Sequence, residues 1–259
     1  MQRLNEISAR VFVATADLYV TNSTILSDGD GGCLVIDPAV TSDEVADLAA
    51  DLRQLSLLPR AGFATHPHWD HVLWSSELGD VPRYASALAA ATAERERAGL
   101  IEGAQKSAPG HEIELFGRLT RLDRRDRIGW DGLNAMVVTH HGHAPGHSAL
   151  FVPERGILVA GDMCSDIEIP LLDLDRPDPV GDYQAGLERL AELPVRQVIP
   201  GHGTVGDAAE FRRRVELDRA YLASLVRGLD LRDPRPIADW LVAEHERQAR
   251  WVAEHRGPR

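Results

Sequence analysis

A chain of 259 residues with a 44% hydrophobic fraction is long enough for one sizeable core, read here as a main domain over residues 1–205 and a helical appendage over 206–259. Its net charge of -12 argues against a broad nucleic-acid surface, which would be basic, and no apolar run approaches the ~18 residues needed to cross a bilayer. Two cysteines, Cys33 and Cys164, do not make a disulfide framework, and the start Met1–Glu6 carries no apolar leader, so a reducing cytoplasm is the expected location.

Residues 10–26 and 32–37 read as strands joined by a turn at Asp28-Gly29-Asp30-Gly31-Gly32. Thr41 to Leu55 reads as a helix, with Ser42 as a candidate N-cap and Val45, Leu48 and Leu52 on one apolar face. Residues 61–65 form a short strand, 86–98 an Ala-rich helix, and 99–112 a loop or lid. Strands follow near 113–123, 134–139, 148–152 and 157–160, then a helix over 183–192 and a strand over 195–199. Helical spacing resumes over 207–229, breaks at Asp233-Pro234-Arg235-Pro236, and returns over 237–255, where His245 and His255 are expected to be exposed. Strand, helix and strand recur in both halves, an α/β (α+β) pattern.

The densest chemistry lies in Thr65-His66-Pro67-His68-Trp69-Asp70-His71. Imidazole nitrogen and carboxylate oxygen suit zinc and related divalent metals. In an extended run, His66, His68 and Asp70 share one side, because side chains alternate along a strand. A turn into helix would bring His71 beside them. Three later segments carry further donors where an apolar run meets a loop: His140-His141-Gly142-His143-Ala144-Pro145-Gly146-His147, Ala160-Gly161-Asp162, and Pro200-Gly201-His202-Gly203.

Taken together, these motifs resemble the metallo-β-lactamase-fold hydrolase superfamily, in its glyoxalase II/lactonase-like branch, over roughly residues 10 to 205. The resemblance implies a four-layer αββα sandwich, extended by a C-terminal helical appendage that packs on it. It assigns His66, His68 and His147 to one metal and Asp70, His71 and His202 to a second, with Asp162 bridging. It also places Asp37 behind the ligands as a hydrogen-bond acceptor, and gives Asp70 a catalytic role in orienting the nucleophile. It implies two zinc ions per chain, with ferrous iron as the alternative, and a hydroxide held between them that attacks an acyl carbon or phosphorus.

Departures from the pattern narrow the reading. β-Lactamases of the superfamily lack an aspartate matching Asp162, and flavodiiron oxidases carry Glu where this chain has His68. Many lactonases have a tyrosine where this chain has Ser165. The expectation is a dinuclear hydrolase of a small ester, lactone or thioester, with no nucleic-acid or membrane partner and with self-association left open. The alternative is a mononuclear iron dioxygenase of persulfides using His66, His147 and Asp162. A non-catalytic relative with a vestigial site stands third. Trp69 is either a pocket wall or a core aromatic, and Cys164 a buried packing residue.

Overall fold

Alternation of side chains along two sheets builds four layers. The structure, a computed structural model, describes residues 3–123, 127–230, 232–235 and 238–255. The first sheet runs β1 (Asn5–Ser8), β2 (Val11–Thr15), β3 (Asn22–Ser27), β4 (Gly32–Ile36), β5 (Leu58–Phe63), β6 (Arg83–Ala85) and β7 (Thr120–Arg121) in sequential order. Pairing is antiparallel from β1 to β4 and parallel from β4 to β7. The second sheet comprises β8 (Met136–Thr139), β9 (Ser148–Val152), β10 (Ile157–Gly161), β11 (Gln197–Pro200) and β12 (Gly206–Asp207), in the order β12-β11-β10-β9-β8.

The period of two is visible in the core. On β4, Leu34 and Ile36 join Val11, Val13, Phe63, Leu150, Ile157 and Val159 between the sheets. Cys33 and Val35 point the other way, against Val45, Leu48 and Leu52 of helix α1 (Ser42–Gln54). On β10, Leu158 and Ala160 face outward. There they meet Tyr183 and Leu187 of helix α3 (Pro179–Ala191) and Phe211 and Leu222 of helix α4 (Ala208–Arg227). Helix α5 (Asp239–His255) adds Leu241 and Val252 to the same cluster. Helix α2 (Ala87–Ser107) packs Ala89, Ala90 and Ala104 beside β6. This is the expected αββα arrangement, with α4 and α5 sharing the outer core of the second sheet.

Several local expectations change. The helix expected to stop at residue 98 continues to Ser107, so most of the proposed lid over 99–112 is helical. Gly103 does not break it. A methyl there would come within 3.3 Å of the Trp69 ring, so the glycine allows close approach. The strand expected over 113–123 shrinks to Thr120–Arg121. The carbonyls of Leu115 and Phe116 instead accept from Arg83 and Arg97. Helix α1 is capped by Thr41, not Ser42, through a capping box with Glu44. Helix α3 begins earlier than expected because Asp178 caps it and Pro179 opens it. His245 is buried and contacts the Tyr221 hydroxyl at 3.2 Å, whereas His255 is exposed. Pro236 and Ile237, part of the expected break and the expected first residue of the last helix, lie outside the described residues.

Candidate metal centre

The donors collect where strand ends of both sheets meet. The chain leaving β5 carries Thr65, whose backbone N–H and hydroxyl both donate to the Asp37 carboxylate, at 2.8 and 2.6 Å. Asp37 stands just past β4, paired in parallel with β5, so adjacent strands deliver these two groups side by side. Asp162 follows β10 and His202 follows β11. Those strands are parallel neighbours, and their ends are joined by the Gly201 N–H to Gly161 carbonyl bond of 2.6 Å. Asn22 of the first sheet donates to the carbonyls of Pro200 and Gly203, fixing the His202 loop across the seam.

Two donor groups result. His66, His68, His143 and Asp162 form one, and Asp70, His71 and His202 the other, with the donor atoms of each within 4.8 Å of one another. Asp162 stands between them. Its Oδ2 lies 3.4 Å from His66 Nε2, 3.3 Å from His143 Nε2 and 3.2 Å from His202 Nε2, and its Oδ1 lies 3.2 Å from His71 Nε2.

The structure brings six of the seven expected metal residues together and replaces the seventh. His143, not His147, enters the first group. His147 is fully buried beneath it, and its Nε2 accepts the backbone N–H of Asp162 at 3.1 Å. That ring nitrogen is therefore occupied. Its Nδ1 has no hydrogen-bond partner, and its ring stacks between those of His66 and His140. The motif alone offers His143 as one of four histidines. The turn that aims it is a left-handed residue, φ 71°, which the motif does not reveal. Tyr19, Val20, Asp37 and Cys164 also have positive φ, so five of the seven such non-glycine residues among those described lie at or beside this centre.

Hydrogen bonds at the back of the rings set their tautomers. His71 Nδ1 donates to Asp37 Oδ2 at 2.9 Å, His202 Nδ1 to the Tyr19 carbonyl at 3.0 Å, and His143 Nδ1 to the Leu171 carbonyl at 3.2 Å. The Thr65 hydroxyl is committed to Asp37 as donor, so it accepts from His66 Nδ1 at 2.9 Å. Each Nε2 then aims a lone pair inward, the arrangement that second-layer partners give metal-binding histidines. His68 presents Nδ1 instead, 3.1 Å from His66 Nε2 and 3.0 Å from His143 Nε2. Lone pairs converging at such distances around two carboxylates require positive charge between them.

The titration behaviour reports the same demand. Burial pushes His66 well below the ordinary imidazole range, and pushes His68 down to about 3 with His143 adding to the effect. Burial also disfavours charge on His71 and His202. Asp162 overrides it at both, helped by Asp70 and Asp37 at His71 and by Glu168 at His202, and holds them well above the usual value. Burial alone would raise the two carboxylates. His71 at Asp70, and His202 and His71 at Asp162, instead hold them low. Without metal, protons on His71 and His202 supply the charge; divalent ions fit the same donors.

The donors open onto a cleft of about 1050 Å³. Trp69 forms part of its wall, half-buried, with Tyr19 edge-on to it at 6.1 Å. Trp240, Glu244 and Arg247 of α5 line another side. These residues recur at helical spacing, on the face beside the buried Leu241, His245, Gln248 and Val252. Cys164 is buried packing, with its thiol raised by burial.

Comparison with known proteins agrees with this geometry. Residues 16–202 match the metallo-beta-lactamase superfamily. A probable metallo-hydrolase of Bacillus subtilis is 36% identical over 87 residues, which cover 30% of this chain and 27% of that protein. A hydroxyacylglutathione hydrolase of a Synechococcus species is 32% identical over 132 residues, covering 49% of this chain and 42% of that protein. Both matches span less than half of the relative's length. A beta-lactamase domain protein from Burkholderia ambifaria has the same fold, with a TM-score of 0.70 at 18% identity over 96% of this chain and 86% of that chain. A protein solved in a di-iron-bound form has a TM-score of 0.59 at 27% identity, over 79% of this chain and 98% of that chain. The match from Ala16 to His202 takes in both donor groups, and the chain belongs to the metallo-beta-lactamase superfamily.

Proposed function

We propose that the protein is a dinuclear metal-dependent hydrolase of a small acyl substrate, an ester, lactone or thioester. The observation that carries this reading is the position of Asp162, one carboxylate within 3.2–3.4 Å of imidazole nitrogens from both donor groups. A second convergent set at Asp70, His71 and His202 favours two metals over a single iron. The hydrolase name of the Synechococcus relative and the di-iron form of the structural neighbour point the same way.

Two divalent ions, zinc in the first instance, would supply Lewis-acid polarisation of an acyl oxygen and lower the pKa of a water from 15.7 to about 7. His66, His68 and His143 would hold one, Asp70, His71 and His202 the other, and Asp162 both. Asp70 faces the cleft, and its low pKa keeps it an acceptor at neutral pH, able to orient the attacking water. Asp37 keeps His71 in the tautomer with Nε2 bare. Trp69, Tyr19 and Trp240 offer apolar surface for the body of the substrate.

The test is metal analysis of protein purified without added metal or chelator, followed by initial rates on thioesters, lactones and esters. Two metal ions per chain with turnover of one of these classes is the expected result, and Asp162→Ala should abolish turnover while keeping the fold. One iron per chain with oxygen uptake on a persulfide would overturn the reading.

A further inference from the structure

We infer that Gln248, on the C-terminal helix, is a positioning residue for the metal centre, acting on His143 through the loop that carries Leu171. The inference rests on the reading of His143 as a metal ligand.

Gln248 is fully buried, and its carboxamide is spent at both ends. Oε1 accepts the backbone N–H of Leu172 at 2.6 Å. Nε2 donates to the carbonyl of Pro170 at 3.1 Å and to the Tyr221 hydroxyl at 2.8 Å. A proline carbonyl only accepts and a backbone N–H only donates, so the amide has one allowed orientation. The two contacts straddle Leu171, whose carbonyl accepts from His143 Nδ1 at 3.2 Å. One side chain of α5 thus fixes the peptides on either side of the carbonyl that sets the His143 tautomer. His245 contacts the Tyr221 hydroxyl at 3.2 Å, which ties α4 and α5 into the same network.

The consequence is specific. Without the clamp, residues 170–172 relax, the Leu171 carbonyl drifts from His143 Nδ1, and the imidazole is free to rotate or change tautomer. Removing such an outer partner typically costs 10–100-fold in metal affinity. The loss falls on the first donor group. His71 and His202 take their outer hydrogen bonds from Asp37 and the Tyr19 carbonyl instead.

Cobalt(II) titration of the full chain, followed by its d–d absorption, reads metal binding without turnover. Four proteins are compared with the wild type: Gln248→Leu, Gln248→Glu, His143→Ala and Val252→Ala. Val252 lies on the buried face of α5 in the apolar cluster that also holds Leu172, so its truncation loosens the helix while leaving the hydrogen bonds of Gln248 to residues 170 and 172 in place. Gln248→Leu is expected to weaken, by roughly 10–100-fold, the same step of the isotherm that His143→Ala removes. Gln248→Glu, which keeps the acceptor for the Leu172 N–H, should fall between it and the wild type. It serves in place of the leucine variant if that one fails to fold. Val252→Ala should titrate as the wild type even at an equal loss in Tm. The inference is overturned if the Gln248 variants load as the wild type while His143→Ala does not, or if Val252→Ala loses the same step. If His143→Ala itself titrates as the wild type, the ligand reading beneath the inference fails instead.

Discussion

His147 Nε2 accepts the backbone N–H of Asp162 at 3.1 Å, so this imidazole holds the backbone of the aspartate that lies between the two donor groups, while His143 stands among the donors. The stacking of His147 on the His66 ring, with centroids 5.0 Å apart, makes it part of the floor beneath the donors.

Truncations therefore separate the two histidines. His143→Ala should remove at least one metal per chain with little change in the Tm of the metal-free protein, because it deletes a donor that lines the cleft. His147→Ala should keep the metal stoichiometry and lose about 2–4 kcal/mol of stability, a fall in Tm of roughly 5–15 °C, through a cavity and an unpaired N–H. Elemental analysis and thermal unfolding check both.

Gly201 has no room for a side chain. A methyl there would sit 1.9 Å from Asp162 Oδ1 and 3.1 Å from His71 Cε1. Gly201→Ala should displace the bridging carboxylate and cut activity at least a hundredfold, with metal binding reduced at both sites and near-native far-UV circular dichroism.

The charged contacts of α4 give a pH dependence with a defined sign. Glu210 bonds Arg213 and Arg214, and these bonds outweigh its partial burial and bring its carboxyl down to about 2 from the usual 4.5. A depressed folded-state pKa stabilises the protein above the unfolded value, and that stability disappears as pH falls from about 4.5 toward 2. Glu210→Gln should cost about 1 kcal/mol at pH 7, since the group is partly exposed, and the gap to wild type should close on acidification through that window. Chemical denaturation at several pH values measures it.

Trp240 is exposed on the cleft side of α5. Trp240→Ala should raise KM several-fold for substrates with an apolar body, leaving kcat and metal content unchanged. Steady-state kinetics on a series of acyl chain lengths would show the effect growing with length.

The sequence reveals most where the chemistry is local. Six residues between His66 and His71 carry four donors, and adjacent strand-end motifs mark Asp162 and His202. Alternation on β4 and β10 makes the layers legible in the same way. The third motif defeats such reading. It offers His140, His141, His143 and His147, and the choice among them depends on a left-handed backbone at His143 and on where Asp162 presents its N–H. Gly103 misleads for a related reason: a glycine that allows close approach to Trp69 looks identical to one that ends a helix. The burial of His245 depends on Tyr221, 24 residues away, and no local pattern encodes that pairing.

The donors straddle the seam between the sheets, with His66 to His71 arriving from β5 and Asp162 and His202 from β10 and β11. Bound ions would act as rivets between halves of the chain that are otherwise joined by packing and a few hydrogen bonds. Loading and folding then become one equilibrium, because the unfolded chain cannot gather residues 66 and 202 around one point. At a free metal concentration 100 times Kd, each rivet adds about 2.7 kcal/mol to the resistance of the sandwich to opening. Metal starvation would therefore shorten the life of the protein as well as silence it.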